Sequence, residues 1–264
     1  MKPKRLDTLI TKKQLFQSRE QAQRAIMAGE ILVNDVRITK PGTRVSSDAS
    51  IRYTGKTIPY VSRGGLKLKK AIDSFDLDFN DKVLIDIGSS TGGFTDCALK
   101  HGAKKVYAID VGYGQLDWKL RNKPEVVVME RTNARYLKPE LFKEQADFIT
   151  IDVSFISTAL ILPVLLPLLK ANGQVVLLIK PQFEAGKKKV NKGVITDLKT
   201  HVEVISKVIE KAEEVGFASL ALDYSPIKGP KGNIEFLLLL DTLGKQQITE
   251  ATIRNIVAKA HKME

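Results

Sequence analysis

From Lys82 onward, short apolar runs alternate with helix-patterned stretches, and this alternation constrains the chain more than any other feature. Strand-like runs fall at 83–87 (VLIDI), 105–111, 125–130, 146–153 and 174–180, with two more at 217–224 and 232–241. Between and after them, helices are expected over 94–101, 157–170, 198–215 and 248–262. Parallel strands need crossovers long enough to hold a helix, so the pattern predicts an α/β fold with a seven-stranded, mostly parallel sheet. The last two strands are expected as an antiparallel end pair. Aspartates close three of the runs, Asp86, Asp110 and Asp152. Open α/β sheets bind ligands at the carboxyl ends of their strands, which is where these acids gather.

The residues before the sheet differ in character. Residues 1–70 carry 16 Lys/Arg against 5 Asp/Glu, a net of +11 out of +12 for the whole chain. Charge segregated this sharply is the electrostatic footprint of a polyanion-binding module. RLDTLITKKQL places Leu6, Leu9, Ile10 and Leu15 at helical spacing. SREQAQRAIMAGEI opens a second helix with Ser18 as N-cap and Gln21 at the capping-box position, and Gly29 closes it. ILVNDVRI reads as a hairpin around Asn34-Asp35, Pro41-Gly42 as a turn and 49–53 as a further strand. The stretch SREQAQRAIMAGEILVNDVRITKPGTRV, 18–45, resembles the RNA-binding domain of ribosomal protein S-four type. RNA contact is therefore expected from Lys4, Arg5, Lys12, Lys13, Arg19 and Arg24, with Arg63 at the end of the linker. The expected division is a small α+β RNA-binding domain over 1–57, a linker over 58–63 and a large domain over 64–264. VSRGGLKLKKAIDSFDL, which begins at Val61, is basic and expected to be helical from Leu66.

LIDIGSSTGGFTD, 84–96, is a strand, a glycine-rich turn and a helix start. Gly88, Gly92 and Gly93 let the backbone turn tightly and approach a ligand closely. Asp110 ends the next strand, placed to accept from a ribose diol. A dinucleotide fingerprint reads G-x-G-x-x-G, whereas this loop reads G-x-x-x-G-G, and Asp86 immediately before it would repel a pyrophosphate. The same acid would support a cationic ligand. S-adenosylmethionine, which has a ribose, a sulfonium and no phosphate, fits that description. The expected cofactor residues are Asp86, Gly88, Ser89, Ser90, Thr91, Gly92, Gly93, Phe94 and Asp110, with Asn133 placed for the adenine. The large domain thereby reads as a Rossmann-like methyltransferase.

In QVVLLIKPQF, 174–183, five apolar residues run straight into Lys180. An unpaired ammonium at the end of a buried strand is costly, so partners are expected. Asp152 ends the fourth strand, Glu235 interrupts the apolar run of the last strand, and Lys67 lies in SRGGLKL just ahead of the sheet. Taken singly, these residues have ordinary structural explanations: an N-cap, a surface ion pair, an edge position. Together they describe a site where a ribose hydroxyl can lose its proton to an amine disfavoured as a cation by burial or a second charge.

The blocks YVSRGGLKL, DIGSSTGGFTD, AIDVGYGQL, ERTNAR, IDVSFIS, IKPQFE and SPIKGPKGNIEFL, in that order, resemble the TlyA family. These are ribosomal RNA 2′-O-methyltransferases, also labelled haemolysin A, with a catalytic domain of FtsJ type. The resemblance implies S-adenosylmethionine-dependent methylation of cytidine ribose in ribosomal RNA, on one or both subunits according to subtype. It implies Lys67, Asp152, Lys180 and Glu235 as the catalytic set, and a linker near Ile58–Val61 that influences cofactor binding.

Other readings are weaker. Base methylation is echoed by Asp-Val-Ser-Phe at 152–155, where Phe155 could stack on a flipped base, but the prolines of that motif are missing. A binding protein on an inactive methyltransferase fold leaves the intact loop unexplained. Membrane lysis finds no export signal and no apolar segment long enough to span, since 159–169 is short and holds two prolines. The single Cys97 excludes a disulfide framework, and three scattered histidines argue against a metal site. The expected setting is the cytoplasm, with ribosomal RNA or ribosomal subunits as partner, no membrane and no stable protein partner.

Overall fold

A computed structural model of the chain describes residues 3–16, 18–55, 58–186, 190, 193–244 and 248–263. The chain divides into two compact units, 1–57 and 58–264. Lys56 and Thr57, at the expected domain boundary, lie outside the described residues.

The first unit contains β1 (Lys4–Arg5), α1 (Leu6–Lys12), α2 (Arg19–Met27), β2 (Ile31–Val33), β3 (Val36–Ile38), β4 (Arg44–Val45) and β5 (Ile51–Tyr53). Neither helix is long enough to persist alone in water. Leu6, Leu9, Ile10, Ala22, Ala25 and Ile26 bury their apolar faces together with Ile31 and Val33. Ser18 Oγ accepts from Gln21 N at 3.3 Å, the N-cap read from the sequence. Asn34 and Asp35 both take left-handed φ, +47° and +63°, closing the β2–β3 hairpin with the two-residue turn that suits strand twist. β5 pairs with the other edge of β2, and β1 with β4. Leu15 falls beyond the end of α1 and is exposed.

The second unit contains α3 (Gly64–Phe75), β6 (Val83–Ile87), α4 (Gly93–Lys100), β7 (Lys105–Ile109), α5 (Trp118–Arg121), β8 (Val126–Met129), β9 (Ala146–Ile151), β10 (Leu169–Ile179), α6 (Pro181–Glu184), α7 (Leu198–Val215), β11 (Ala218–Tyr224), β12 (Phe236–Asp241) and α8 (Glu250–Ala260). Its sheet runs β11-β12-β10-β9-β6-β7-β8. β12 is antiparallel to both its neighbours, so the expected end pair is realised with the last strand inserted between β11 and β10. Side chains alternate across the sheet as the pleat requires. Leu84, Val176 and Leu178 pack with Leu68 of α3 and Phe94 and Ala98 of α4 on one face. Ile85, Val175 and Leu177 pack with α7 and α8 on the other.

The helix expected over 157–170 does not form. Three single turns of 3-10 helix occupy 158–160, 162–164 and 166–168, and β10 begins at Leu169. Pro163 and Pro167 each remove an amide hydrogen and clash with the preceding turn, so the apolar periodicity that buries Leu162, Leu165 and Leu168 is met without an α-helix.

α8 is pinned to α7 by a histidine pair. His201 Nδ1 and His261 Nε2 lie 2.8 Å apart, and His201 is fully buried with its ring edge-on to Phe236. Burial, with His261 adding to it, pushes His201 down from 6.5 to about 4. The neutral ring therefore contributes stability in full above pH 6.5, and this is lost as the pH falls toward 4, because the unfolded chain then binds the extra proton. The melting temperature is expected to drop by about 5–10 °C over this window from this group. His201→Phe should melt lower at pH 7 but with a visibly flatter pH dependence. Parallel curves for the two proteins, followed by circular dichroism, would assign the acid sensitivity to other groups.

Candidate active site

Three of the four reacting side chains stand at the carboxyl edge of the parallel strands because a strand ends or begins there. Asp152 directly follows β9, Lys180 directly follows β10, and Glu235 directly precedes β12, rather than lying within it as the sequence pattern predicts. β9 and β10 are parallel neighbours with Ile151 opposite Leu177, and Ile179 is paired with Phe236, so register brings Lys180 level with Glu235 and leaves Asp152 two residues short of Lys180 on the adjoining strand. Lys67 arrives from α3, which packs on one face of the sheet.

The four groups meet. Lys180 Nζ lies 2.5 Å from Asp152 Oδ1, and Lys67 Nζ lies 2.6 Å from Glu235 Oε2 and 3.7 Å from Asp152 Oδ2. Asp152 thus faces both amines. Lys180 also donates to Ser154 Oγ at 3.0 Å, a partner that sequence reasoning missed although it stands two residues after Asp152. Glu235 is fully buried and both lysines nearly so, so two amines and two carboxyl groups are enclosed together. Burial of unpaired charges at this depth would be prohibitive, and mutual pairing makes it tolerable.

Beside them lies the glycine loop between β6 and α4. The amides of Gly88 and Ser89 both donate to Ile109 O, at 2.9 and 3.0 Å, and Gly92 N donates to Ser89 O at 2.7 Å. Ser90 N donates to Asp110 Oδ2 at 2.8 Å, and Gly112 N to Asp110 Oδ1 at 2.7 Å. The amides of Gly88, Ser89, Ser90 and Gly92 are therefore all committed within the protein and form no nest for a phosphate. Asp110, half-buried at the end of β7, keeps further lone pairs for a diol. An acid with lone pairs to spare at the end of β7 fits a ribose-bearing ligand such as S-adenosylmethionine.

Two expected cofactor residues have other work. Asp86 is enclosed rather than presented to the ligand: Oδ2 accepts from Thr95 Oγ1 at 2.6 Å and Oδ1 from Thr150 Oγ1 at 2.9 Å. Desolvation pushes its carboxyl up to about 6, against the pull of the two threonines. It ties β6, α4 and β9 together beneath the loop. Asn133 Oδ1 accepts from Arg135 N at 3.1 Å, capping a short turn after β8, which leaves its amide donors for a ligand. Ser90 and Thr91 are exposed, while Ser89, Gly93 and Phe94 are buried in the loop's support.

The stretch before α3 leans on the same loop. Val61 N donates to Asp96 Oδ2 at 2.9 Å, and Lys100 bonds to both Asp96 and the carbonyl of Pro59 while lying over the Tyr60 ring. At Gly93 a Cβ would fall 2.8 Å from Gly65 N and overlap the Ser62 hydroxyl, so α4 starts in direct contact with residues 62–65. The segment named from resemblance as an influence on cofactor binding is thus in contact with the helix that closes the cofactor loop.

In the first unit, Lys4, Lys12, Lys13 and Arg24 are exposed, and Arg63 is exposed in the second. Arg5 and Arg19 are half-exposed and also structural. Fully buried Asp7 accepts from Arg5 Nε and Nη2 at 3.1 and 2.8 Å, from Arg19 Nε at 3.0 Å and from Gln23 Nε2 at 2.9 Å. These bonds, Arg5 foremost, hold the Asp7 carboxyl well below the usual carboxylate range. Two of the six basic residues expected to meet RNA from this unit are therefore held by an internal acid that composition counted only as charge.

Comparison with known proteins bears on these sites. The FtsJ-like methyltransferase family matches residues 60–242, and the S4 domain matches residues 4–51. The 16S/23S rRNA (cytidine-2′-O)-methyltransferase TlyA of Mycobacterium tuberculosis is 39% identical over 258 residues, covering 97% of this chain and 96% of its own. This chain belongs to the TlyA family of FtsJ-like methyltransferases. YqxC of Bacillus subtilis is 50% identical over 267 residues, covering 99% of this chain and 95% of its own. A solved structure from Streptococcus thermophilus that carries a hemolysin label is 46% identical with a TM-score of 0.81, covering 100% of this chain and 97% of that one. The chain is thus an S-adenosylmethionine-dependent methyltransferase with an S4 domain. Among the described residues no helix is long and apolar enough to cross a membrane.

Proposed function

We propose that this TlyA-family enzyme methylates the 2′-oxygen of a cytidine in ribosomal RNA, in the cytoplasm, on a ribosomal subunit or its RNA. The observation that carries this reading is the enclosed set Lys67, Asp152, Lys180 and Glu235 beside the glycine loop that Asp110 orders. Residues 1–57 are the RNA-binding domain, 58–63 the linker and 64–264 the methyltransferase domain.

S-adenosylmethionine, when bound, supplies an electrophilic methyl group. The protein's task is to make a ribose hydroxyl nucleophilic and aim it. Lys180 Nζ, as the neutral amine, takes the hydroxyl proton and becomes the ammonium that Asp152 then pairs, and Asp152 and Ser154 fix where the amine points. Lys67 is held by Glu235 and places a second amine on the other oxygen of Asp152. Asp110 and the loop at 88–93 hold the cofactor, while Asp86 sets the loop from beneath. Phe155 is 90% exposed, lies 5.0 Å from the Phe183 ring, and follows Asp152 by three residues. The base sits on the ribose carbon next to the 2′-hydroxyl, so a nucleotide reaching Lys180 carries its base to this aromatic face.

The test is methyl transfer from labelled S-adenosylmethionine to separated, unmodified ribosomal subunits, followed by alkaline hydrolysis. Ribose methylation blocks cleavage at the modified nucleotide, and a resistant cytidine dinucleotide is the expected product. Label recovered on a mononucleotide would point instead to the base.

A further inference from the structure

The loops that carry the reacting side chains leave neighbouring parallel strands and run together, joined at three levels. At the first, Lys180 Nζ meets Asp152 Oδ1 at 2.5 Å and Ser154 Oγ at 3.0 Å. At the second, the rings of Phe155 and Phe183 touch at a centroid distance of 5.0 Å. At the third, Glu184 closes the pair: Oε2 accepts from Ser157 Oγ at 2.6 Å, and Oε1 accepts from Thr158 N at 2.8 Å and Thr158 Oγ1 at 2.9 Å. Glu184 thus takes three donors from the opposite loop, and both of its oxygens are used.

Between these levels the backbone is strained. Phe155 has φ +64°, a left-handed conformation that is strained for a bulky residue. Such a conformation persists only where its surroundings over-determine it. Upstream, Asp152 N is tied to Ile87 O at 3.0 Å, and downstream Thr158 is anchored by Glu184. Without the downstream anchor, residues 153–157 would keep the Lys180–Ser154 bond, the ring contact and the packing of Val153 and Ile156 on the core, but would lose the bonds that fix Ser157 and Thr158.

We propose that Glu184 is a positioning residue for the 2′-oxygen transfer, locking loop 152–158 to loop 180–184 so that Asp152, Ser154 and Phe155 meet Lys180 and the incoming nucleotide in fixed register. The proposal rests on the ribose-methylation reading for its kinetic part and is independent of it for its structural part. Glu184 lies at the end of the sheet edge but makes no contact with Lys67, Lys180 or the cofactor loop among the bonds described, so its influence passes through the loop it holds.

The experiment uses the full-length protein with Glu184→Ala and Glu184→Gln, labelled S-adenosylmethionine and unmodified subunits. Glu184→Ala is expected to lower kcat about 100-fold, as small misplacements of reacting groups do, with cofactor affinity by calorimetry unchanged. Its kcat–pH profile should also shift, because the contacts of the Lys180 amine are altered. Glu184→Gln should recover to within about fivefold, since its oxygen still accepts from Thr158 and the Ser157 hydroxyl can turn to accept from its amide. Unchanged kcat and pH profile with only a lower melting temperature would overturn the proposal, as would a glutamine variant as damaged as alanine. Amide hydrogen exchange over residues 152–158 is read in parallel and needs no substrate. Faster exchange there in Glu184→Ala supports the lock, and unaltered protection overturns it. Failure of the wild-type enzyme to methylate ribose would instead count against the proposed reaction, leaving the exchange result to decide the lock.

Discussion

Lys180→Ala is expected to lower methyl transfer by at least about 10³-fold while S-adenosylmethionine affinity stays within a few-fold. A positioned general base contributes about 10²–10⁴ in rate, and Lys180 is the amine held by both Asp152 and Ser154 at the sheet edge. None of its contacts is with the glycine loop or Asp110, so cofactor binding has no reason to follow. The alanine variant also leaves Asp152 Oδ1 without its amine partner, and destabilisation alone could mimic loss of a base. Lys180→Arg separates the two. A guanidinium can still pair with Asp152 but stays protonated, so it cannot accept a proton. The expected result is a well-folded arginine variant as inactive as alanine. Activity in Lys180→Arg approaching wild type would mean that positive charge, not proton acceptance, is what the reaction needs there. Melting curves on both variants, with single-turnover rates on unmodified subunits, make the comparison.

The site was legible in sequence to the extent that it depends on strand ends. Lys180 follows five apolar residues, and an apolar run must be covered on both faces, so its end marks the edge of the sheet. Asp152 is found the same way. Their distance from Glu235 depends on where β12 sits, and no local pattern states that β12 runs between β11 and β10. Glu235 was recognisable as a polar interruption of an apolar run, but its partnership with Lys67 arises only from long-range register and the packing of α3.

What the sequence hid was mostly the use of hydrogen-bond capacity. Its place before the glycine loop points Asp86 at the ligand, yet Thr95 and Thr150, 9 and 64 residues away, bond to its two oxygens. Charge alone sends Arg5 and Arg19 to RNA, and Asp7 turns part of that charge inward. Glu184 gave no sign of its role, because its partners lie 26 and 27 residues earlier. In 157–170 the periodicity favoured a helix and two prolines opposed it, and the chain satisfied both by burying the same leucines on separate turns. Patterning sees burial; the pairing of polar atoms across the fold is decided by topology.

Gly88→Ala is expected to damage cofactor binding and chemistry together, because one position serves both. Gly88 has φ +83°, where an added Cβ costs about 1–2 kcal/mol before any contact is considered. That Cβ would also fall 2.5 Å from the carbonyl oxygen and 2.9 Å from the carbonyl carbon of Asp152. Both are backbone atoms, and Asp152 N is itself bonded to Ile87 O at 3.0 Å, so no flexible side chain can move aside. Relief requires the loop, or the end of β9, to shift. A shifted loop loses the Ser90 bond that orients Asp110, and S-adenosylmethionine affinity should fall by at least about 10-fold. A shifted β9 end moves Asp152 between its two lysines, so single-turnover transfer at saturating cofactor should fall by about 10²-fold as well. The second measurement carries the argument. If saturating cofactor restored the wild-type rate, Gly88 would belong to the binding loop alone, and the touching backbones of Gly88 and Asp152 would not couple binding to transfer.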